Sequence, residues 1–235
     1  MTIEVLYPEV CNLFGDSQNA TYLRQCLPDA EMIRTALPET PYFAGQTPDL
    51  IYMGAMSERT QRMVIKALTP YKDRLAEMIA GGTVMLFTGN AGETLMKHIS
   101  YVTEKIETDG LGLLDFTVKT DWFSRYNGKV LGTFADMAVV GFRSQFSMVY
   151  GDNTDCFFVK AERGVGINKD SVLEGVRRNN LFVTSLLGPI LPNNPLFTEY
   201  LLALAGTPAP AAFREQAMAA YAQRLKEFRD PQTEF

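Results

Sequence analysis

The sequence predicts a three-layer α/β domain whose central sheet is mostly parallel and is extended by antiparallel strands. Three observations carry that prediction. The stretch Gly82-Thr83-Val84-Met85-Leu86-Phe87-Thr88-Gly89-Asn90-Ala91-Gly92 reads as a strand buried on both faces that runs into a sharp glycine turn. Strand-like and helix-like stretches alternate through the first hundred or so residues, an order that yields a parallel sheet. From residue 116 to 182, short apolar runs alternate with turn residues, the texture of antiparallel or edge strands.

Taken in order, residues 3–6 form a first strand, because the amino terminus is too short and too acidic in its apolar run for a signal peptide. Asp16 is placed to cap the helical pattern Tyr22, Leu23, Cys26, Leu27. Residues 30–36 suit a second strand, residues 38–48 a loop, and Asp49-Leu50-Ile51-Tyr52-Met53-Gly54 a buried strand stopped by glycine. Met63, Ile65, Leu68, Tyr71, Leu75, Met78 and Ile79 mark a helix interrupted near Pro70. After the central strand, residues 93–99 predict an amphipathic helix whose free N–H groups would face the crevice at the strand end. The later strands are expected at 116–121, 129–134, 137–142, 156–160, 172–177 and 181–186, with Tyr126-Asn127-Gly128 and Asn179-Asn180 as turns. A helix over 196–204 begins beside Pro195, where a missing N–H costs nothing. Residues 1–206 then make the main domain, and a terminal helix within 207–235 follows the linker Gly206-Thr207-Pro208-Ala209-Pro210.

Bulk properties narrow the function. With 235 residues, 46% of them hydrophobic, the chain can bury a sizeable core. A net charge of -5 and the absence of a dense Lys/Arg run argue against nucleic acid as a partner and favour a small molecule or a protein. Three cysteines without Cys-x-x-Cys spacing and a single histidine support neither a disulfide framework nor a zinc site. No cofactor or metal is expected, and a reducing cytoplasm is the simplest compartment. No apolar run approaches the ~20 residues of a membrane span, so no membrane insertion is expected.

Several spaced motifs together resemble the class I, triad-type glutamine amidotransferases, in the branch of cobyric acid synthase and of the glutaminase subunit of lipid II isoglutaminyl synthase. They are Tyr7-Pro8-Glu9-Val10-Cys11-Asn12-Leu13-Phe14-Gly15-Asp16 with Asn19, Asp49 to Gly54 with Gln61, and Gly110-Leu111-Gly112-Leu113-Leu114-Asp115 with Thr117. Arg125 with Asn127-Gly128, Gly141-Phe142, Gly164-Val165-Gly166, Glu174-Gly175 and Gly188-Pro189-Ile190-Leu191-Pro192 with Asn194-Pro195-Leu196 continue in register. The resemblance implies a flavodoxin-like class I amidotransferase fold, glutamine as ligand, and a Mur-ligase-like partner subunit that consumes ammonia.

The same resemblance exposes a departure. The family carries a cysteine at the strand-to-helix elbow and a histidine before the late Gly-Pro, whereas this chain has Thr88 and Leu187 there. Where the family has consecutive glycines shaping the oxyanion pocket, Gly54-Ala55-Met56 keeps only the first. A hydroxyl nucleophile needs a base within about 2.6–3.2 Å, and Leu187 cannot supply one. His98, ten residues past Thr88 on a helix, would lie ~12 Å or more away. A β-branched residue is also ill-suited to an elbow at positive φ. No catalytic residue is therefore expected. The site candidates are ligand-binding ones: Gly54, Thr88, Gly89 and Arg125, the last as a carboxylate clamp. Cys11, Ser185 and Gln145 read as structural. Three functions follow: a non-hydrolytic partner or binding subunit of a Mur-ligase-like protein; an active amidotransferase with a non-standard nucleophile or partner-donated residues; or a small amino-acid-binding sensor.

Overall fold

Parallel ladders organise the computed structural model, which describes residues 1–234. The first half contains β1 (Thr2–Leu6), α1 (Gln18–Cys26), β2 (Glu31–Thr35), β3 (Leu50–Met53), α2 (Glu58–Leu68), α3 (Lys72–Gly81) and β4 (Val84–Thr88). The strand-rich middle holds β5 (Met96–Tyr101), β6 (Ile106–Asp109), β7 (Leu114–Thr120), β8 (Tyr126–Phe134), β9 (Met137–Gln145) and β10 (Ser147–Tyr150). The chain continues through β11 (Val159–Arg163), β12 (Leu173–Glu174), β13 (Val176–Arg178) and β14 (Leu181–Thr184) to α4 (Ile190–Asn193), α5 (Pro195–Leu204) and α6 (Arg214–Arg229).

The central sheet runs β13-β14-β4-β3-β1-β2, all parallel except the β13 edge. Without that edge strand the order is the flavodoxin-like one, with a switch point between β1 and β3. Side-chain alternation splits the core into two layers. Ile51, Met53, Met85 and Phe87 pack with α2 and α3, whereas Leu50, Tyr52, Val84 and Leu86 pack with α1 and α5. Burial on both faces explains why β3 and β4 read as unbroken apolar runs. The antiparallel strands form two further sheets, β10-β7-β5-β6 and β12-β11-β8-β9, in which only β5 and β7 run parallel. Helix α6 lies against β8 and β9, with Tyr221 buried and its hydroxyl donating to Ala138 O at 2.6 Å.

Two expectations are corrected. Residues 93–99 are not a helix: a 3-10 turn over Ala91–Leu95 leads directly into β5. The apolar positions Leu95, Met96 and Ile99 fit either period, and pairing with β6 and β7 decides for the strand. Tyr126-Asn127-Gly128 is not a turn but the start of β8. Gly128 is accommodating there rather than turning: a Cβ would come within 2.5 Å of the Tyr126 hydroxyl. The reversal falls at Ala135, φ 48°, between β8 and β9. The Asn179-Asn180 turn is as expected, with Asn179 at φ 53°, and the helix break near Pro70 is a 3-10 turn over Thr69–Tyr71. Among the described residues no helix is long and apolar enough to cross a membrane.

Candidate functional site

Thr88 ends β4 at the carboxyl edge of the parallel sheet, on the same face as Leu86. The positive φ of the turn falls on Gly89, at 60°, and not on Thr88. The elbow is thereby relaxed, because the strain of a left-handed β-branched residue is avoided. Glycine is required at 89, since a Cβ there would sit 2.5 Å from Ala55 Cβ. With only a short 3-10 turn after it, the strand end lacks a long helix whose N–H groups could receive an anion.

Thr88 is fully buried, and its hydroxyl donates to Asp16 Oδ2. Around that contact a polar network has closed. Asn19 Nδ2 donates to Asp16 Oδ1 at 2.9 Å, and the Ala55 N–H donates to Asp16 Oδ2 at 3.0 Å. The Tyr52 hydroxyl donates to the Asp16 carbonyl at 2.7 Å and lies 3.2 Å from Thr88 Oγ1. Leu191 N donates to Asn19 Oδ1 at 2.9 Å, tying the network to α4. Asp16, Asn19, Tyr52 and Thr88 are all buried. Burial holds the Asp16 carboxyl above its usual range, against the opposing pull of its hydrogen bonds. Asp16 is thus not the helix cap expected from its place in the chain. Ser17 precedes α1 without a side-chain cap, and the carboxylate turns inward to join β1's following loop to β3 and β4. Gly54 closes over this network: a Cβ would meet Cys11 O at 2.6 Å and the Tyr52 hydroxyl at 2.9 Å.

A small pocket of about 90 Å³ opens beside the elbow. Gly89, Leu187 and Arg125 line it, whereas Thr88 and Gly54 do not. Leu187 is held by a two-way bridge to β9, donating to Phe142 O at 2.7 Å and accepting from Phe142 N at 3.1 Å. Its side chain therefore presents an apolar wall. Arg125 Nη2 donates to Ser144 Oγ at 2.8 Å, and the guanidinium lies 5.3 Å from the Phe146 ring centroid. Gln145 also lines the pocket, its amide donating to Ser147 O at 2.6 Å.

The other candidates lie apart from this pocket. His98 sits on β5, not on a helix, and its ring nitrogens pair with Asp109 at 2.9 Å and Glu107 at 2.7 Å. Those two carboxylates raise its pKa. A histidine engaged on both nitrogens is unavailable as a base to Thr88. Cys11 is buried, its thiol is pushed up to about 12 by burial, and its S–H contacts Met56 Sδ at 3.9 Å. It is no nucleophile. Ser185 donates its backbone N–H to the buried Glu174 at 2.8 Å. Among the described residues no group of His, Cys, Asp and Glu could hold a metal ion.

Sequence reasoning missed Glu93. It is buried, accepting from the Ser147 hydroxyl and from Gln61 Nε2 at 2.8 Å, while Tyr101 donates to Gln61 Oε1 at 2.8 Å. Desolvation pushes its carboxyl up to about 7. Read as part of an amphipathic helix, Glu93 is an ordinary exposed acid; it is the 3-10 turn leading into β5 that buries it. Ser147 also lines the pocket, so this second network lies directly behind the pocket wall.

This sheet order, with its elbow at the end of the central strand, defines a domain of the class I glutamine amidotransferase type. The fold agrees with two solved structures: a glutamine amidotransferase (TM-score 0.59, 15% identity, covering 87% of this chain and 99% of that one) and one from Thermotoga maritima (TM-score 0.54, 8% identity, 95% and 92%). No family model matches the chain. A curated relative is more specific: the chain is 31% identical over 208 residues to the lipid II isoglutaminyl synthase (glutamine-hydrolyzing) subunit GatD of Staphylococcus aureus strain N315, covering 86% of this chain and 83% of that protein. The chain belongs to the GatD family.

Proposed function

We propose that this chain is a non-hydrolytic member of its family, a binding or positioning subunit for a Mur-ligase-like protein in the cytoplasm. The observation that carries the reading is the state of Thr88. Its hydroxyl donates to buried Asp16, it has no exposed surface, and no imidazole lies among its partners. A nucleophile has to reach a substrate carbonyl, and this hydroxyl, although it donates to the Asp16 carboxylate, is sealed from any substrate. Leu187, where the family's histidine is expected, offers only hydrocarbon to the pocket. Removing either member of such a pair abolishes nearly all of its contribution, because the two act as a unit.

Incubated with glutamine, alone and with a purified Mur-ligase-like partner, the chain is expected to release no ammonia above the rate without protein. Turnover that Thr88→Ala abolishes would establish the active-amidotransferase alternative instead. The partner itself is tested by co-purification from the source cell: recovery of the chain as a lone monomer, with no ligase-like companion, sinks the subunit reading.

A further inference from the structure

A second concavity lies between α1 and the β2 edge of the central sheet, and it shares no lining residue with the elbow pocket. Alternation along β2 puts Met32 and Arg34 on one face, and Val5 of β1, in register with Arg34, lies on the same face. On α1, Arg24 stands one turn beyond Ala20 and Thr21, so the three share a helix face. These six residues enclose a groove of about 120 Å³. Buried Val5 and Ala20 and half-buried Met32 form its apolar part, whereas Thr21, Arg24 and Arg34 are exposed. Among the described residues every ion pair engages a cation other than Arg24 and Arg34, and no Asp or Glu lines the groove. The Thr21 hydroxyl reaches only the Ser17 carbonyl, at a long 3.5 Å. In a chain with 27 acidic against 22 basic side chains, two arginines on one groove without a carboxylate form an unbalanced cationic site. Their mutual repulsion favours an anion between them.

From this arrangement we propose that the groove binds a phosphate monoester, with the phosphate between the Arg24 and Arg34 forks and the Thr21 hydroxyl as a further donor. The donor set decides the class. One bidentate fork satisfies a planar carboxylate, whereas two forks and a hydroxyl match a tetrahedral dianion with its terminal oxygens spread in space. The groove, about 120 Å³, is smaller than the roughly 300–1,000 Å³ of pockets that enclose a whole ligand. It therefore takes the phosphate and leaves the ester group in solvent. A phosphate held there bridges α1 to β2, a strand that pairs only with β1. The same helix carries Asn19, whose amide holds Asp16 in the elbow network. The site stands whether or not the chain hydrolyses glutamine.

The test is isothermal titration of the full chain, at physiological ionic strength, with glycerol phosphate, inorganic phosphate, acetate, and phosphatidylcholine vesicles containing phosphatidic acid. Glycerol phosphate is expected to bind once per chain, at least tenfold more tightly than acetate, with inorganic phosphate competing for the same site. Arg24→Gln and Arg34→Gln should each weaken that binding at least tenfold, and thermal melts confirm that both variants fold. Arg59→Gln, which removes an exposed arginine of α2 away from the groove, should leave it unchanged. A phosphate monoester loses its second charge below a pKa of about 6 while arginine stays protonated, so binding should weaken severalfold between neutral pH and about pH 5. No saturable binding of glycerol phosphate, acetate binding as tightly, or an affinity indifferent to pH would each overturn the proposal. So would binding to the vesicles alone, or an Arg59→Gln loss equal to that of the groove variants, which would mark general attraction to cationic side chains.

Discussion

Truncating Asp16 to alanine is expected to cost about 3–5 kcal/mol of folding stability, the largest single-residue effect outside the apolar core. Three donors converge on its carboxylate, from Thr88, Asn19 and the Ala55 backbone, all in a region closed to solvent. Each buried donor left without an acceptor costs roughly 1–3 kcal/mol, and partial rearrangement of Asn19 and Tyr52 brings the sum below the additive limit. Asp16→Asn keeps the volume and retains acceptors for two of the three donors, so it should cost clearly less than alanine. Thr88→Val, which removes one hydroxyl and leaves Asp16 with two donors, should cost about 1–2 kcal/mol. Urea unfolding followed by tryptophan fluorescence and circular dichroism measures all three. A cost below about 1 kcal/mol for Asp16→Ala would mean that the network does not hold the elbow.

The second large effect is a dependence of stability on pH that runs opposite to the usual carboxylate case. Glu93 titrates about 7 in the folded chain because burial penalises its charge, and near 4.5 once unfolded. Between those values the unfolded chain has released a proton that the folded chain still holds, so stability falls as pH rises and levels off above about 7. At 1.36 kcal/mol per unit, this group should remove about 2–3 kcal/mol between pH 5 and pH 8. Glu93→Gln is expected to abolish that share, since its amide can donate to Ser147 and accept from Gln61 without a charge. Asp16, Glu4 and Glu174 are raised by burial in the same direction, but they are common to both proteins and cancel in the difference. Equal pH slopes for the wild type and Glu93→Gln would refute the assignment.

Much of the architecture was legible because the strands of a parallel sheet, covered on both faces, must be apolar along their whole length. β3 and β4 are such runs, and glycines mark their ends. The stretch after Gly92 was not legible. Leu95, Met96, Ile99 and Tyr101 satisfy a helical stripe as well as a strand face, and the choice between them comes from β6 and β7, which lie further along the chain. Gly128 misled for a related reason: a glycine that makes room for a ring looks in sequence like a glycine that makes a turn.

For the site, the candidates were Gly54, Thr88, Gly89 and Arg125; Gly89 and Arg125 line one pocket, whereas Gly54 and Thr88 belong to the closed network beside it. Glu93 carried no signal, because an acid beside a turn is ordinary until its neighbours are known.

What the sequence determined alone is the layered α/β plan and the identity of the side chains at the elbow, a threonine and a leucine. Both follow from local pattern and residue chemistry. Only the tertiary structure decided what that threonine does. Its hydroxyl meets a carboxylate 72 positions away in the chain, and the removal of water from around that pair makes the contact a structural tie instead of a reactive group.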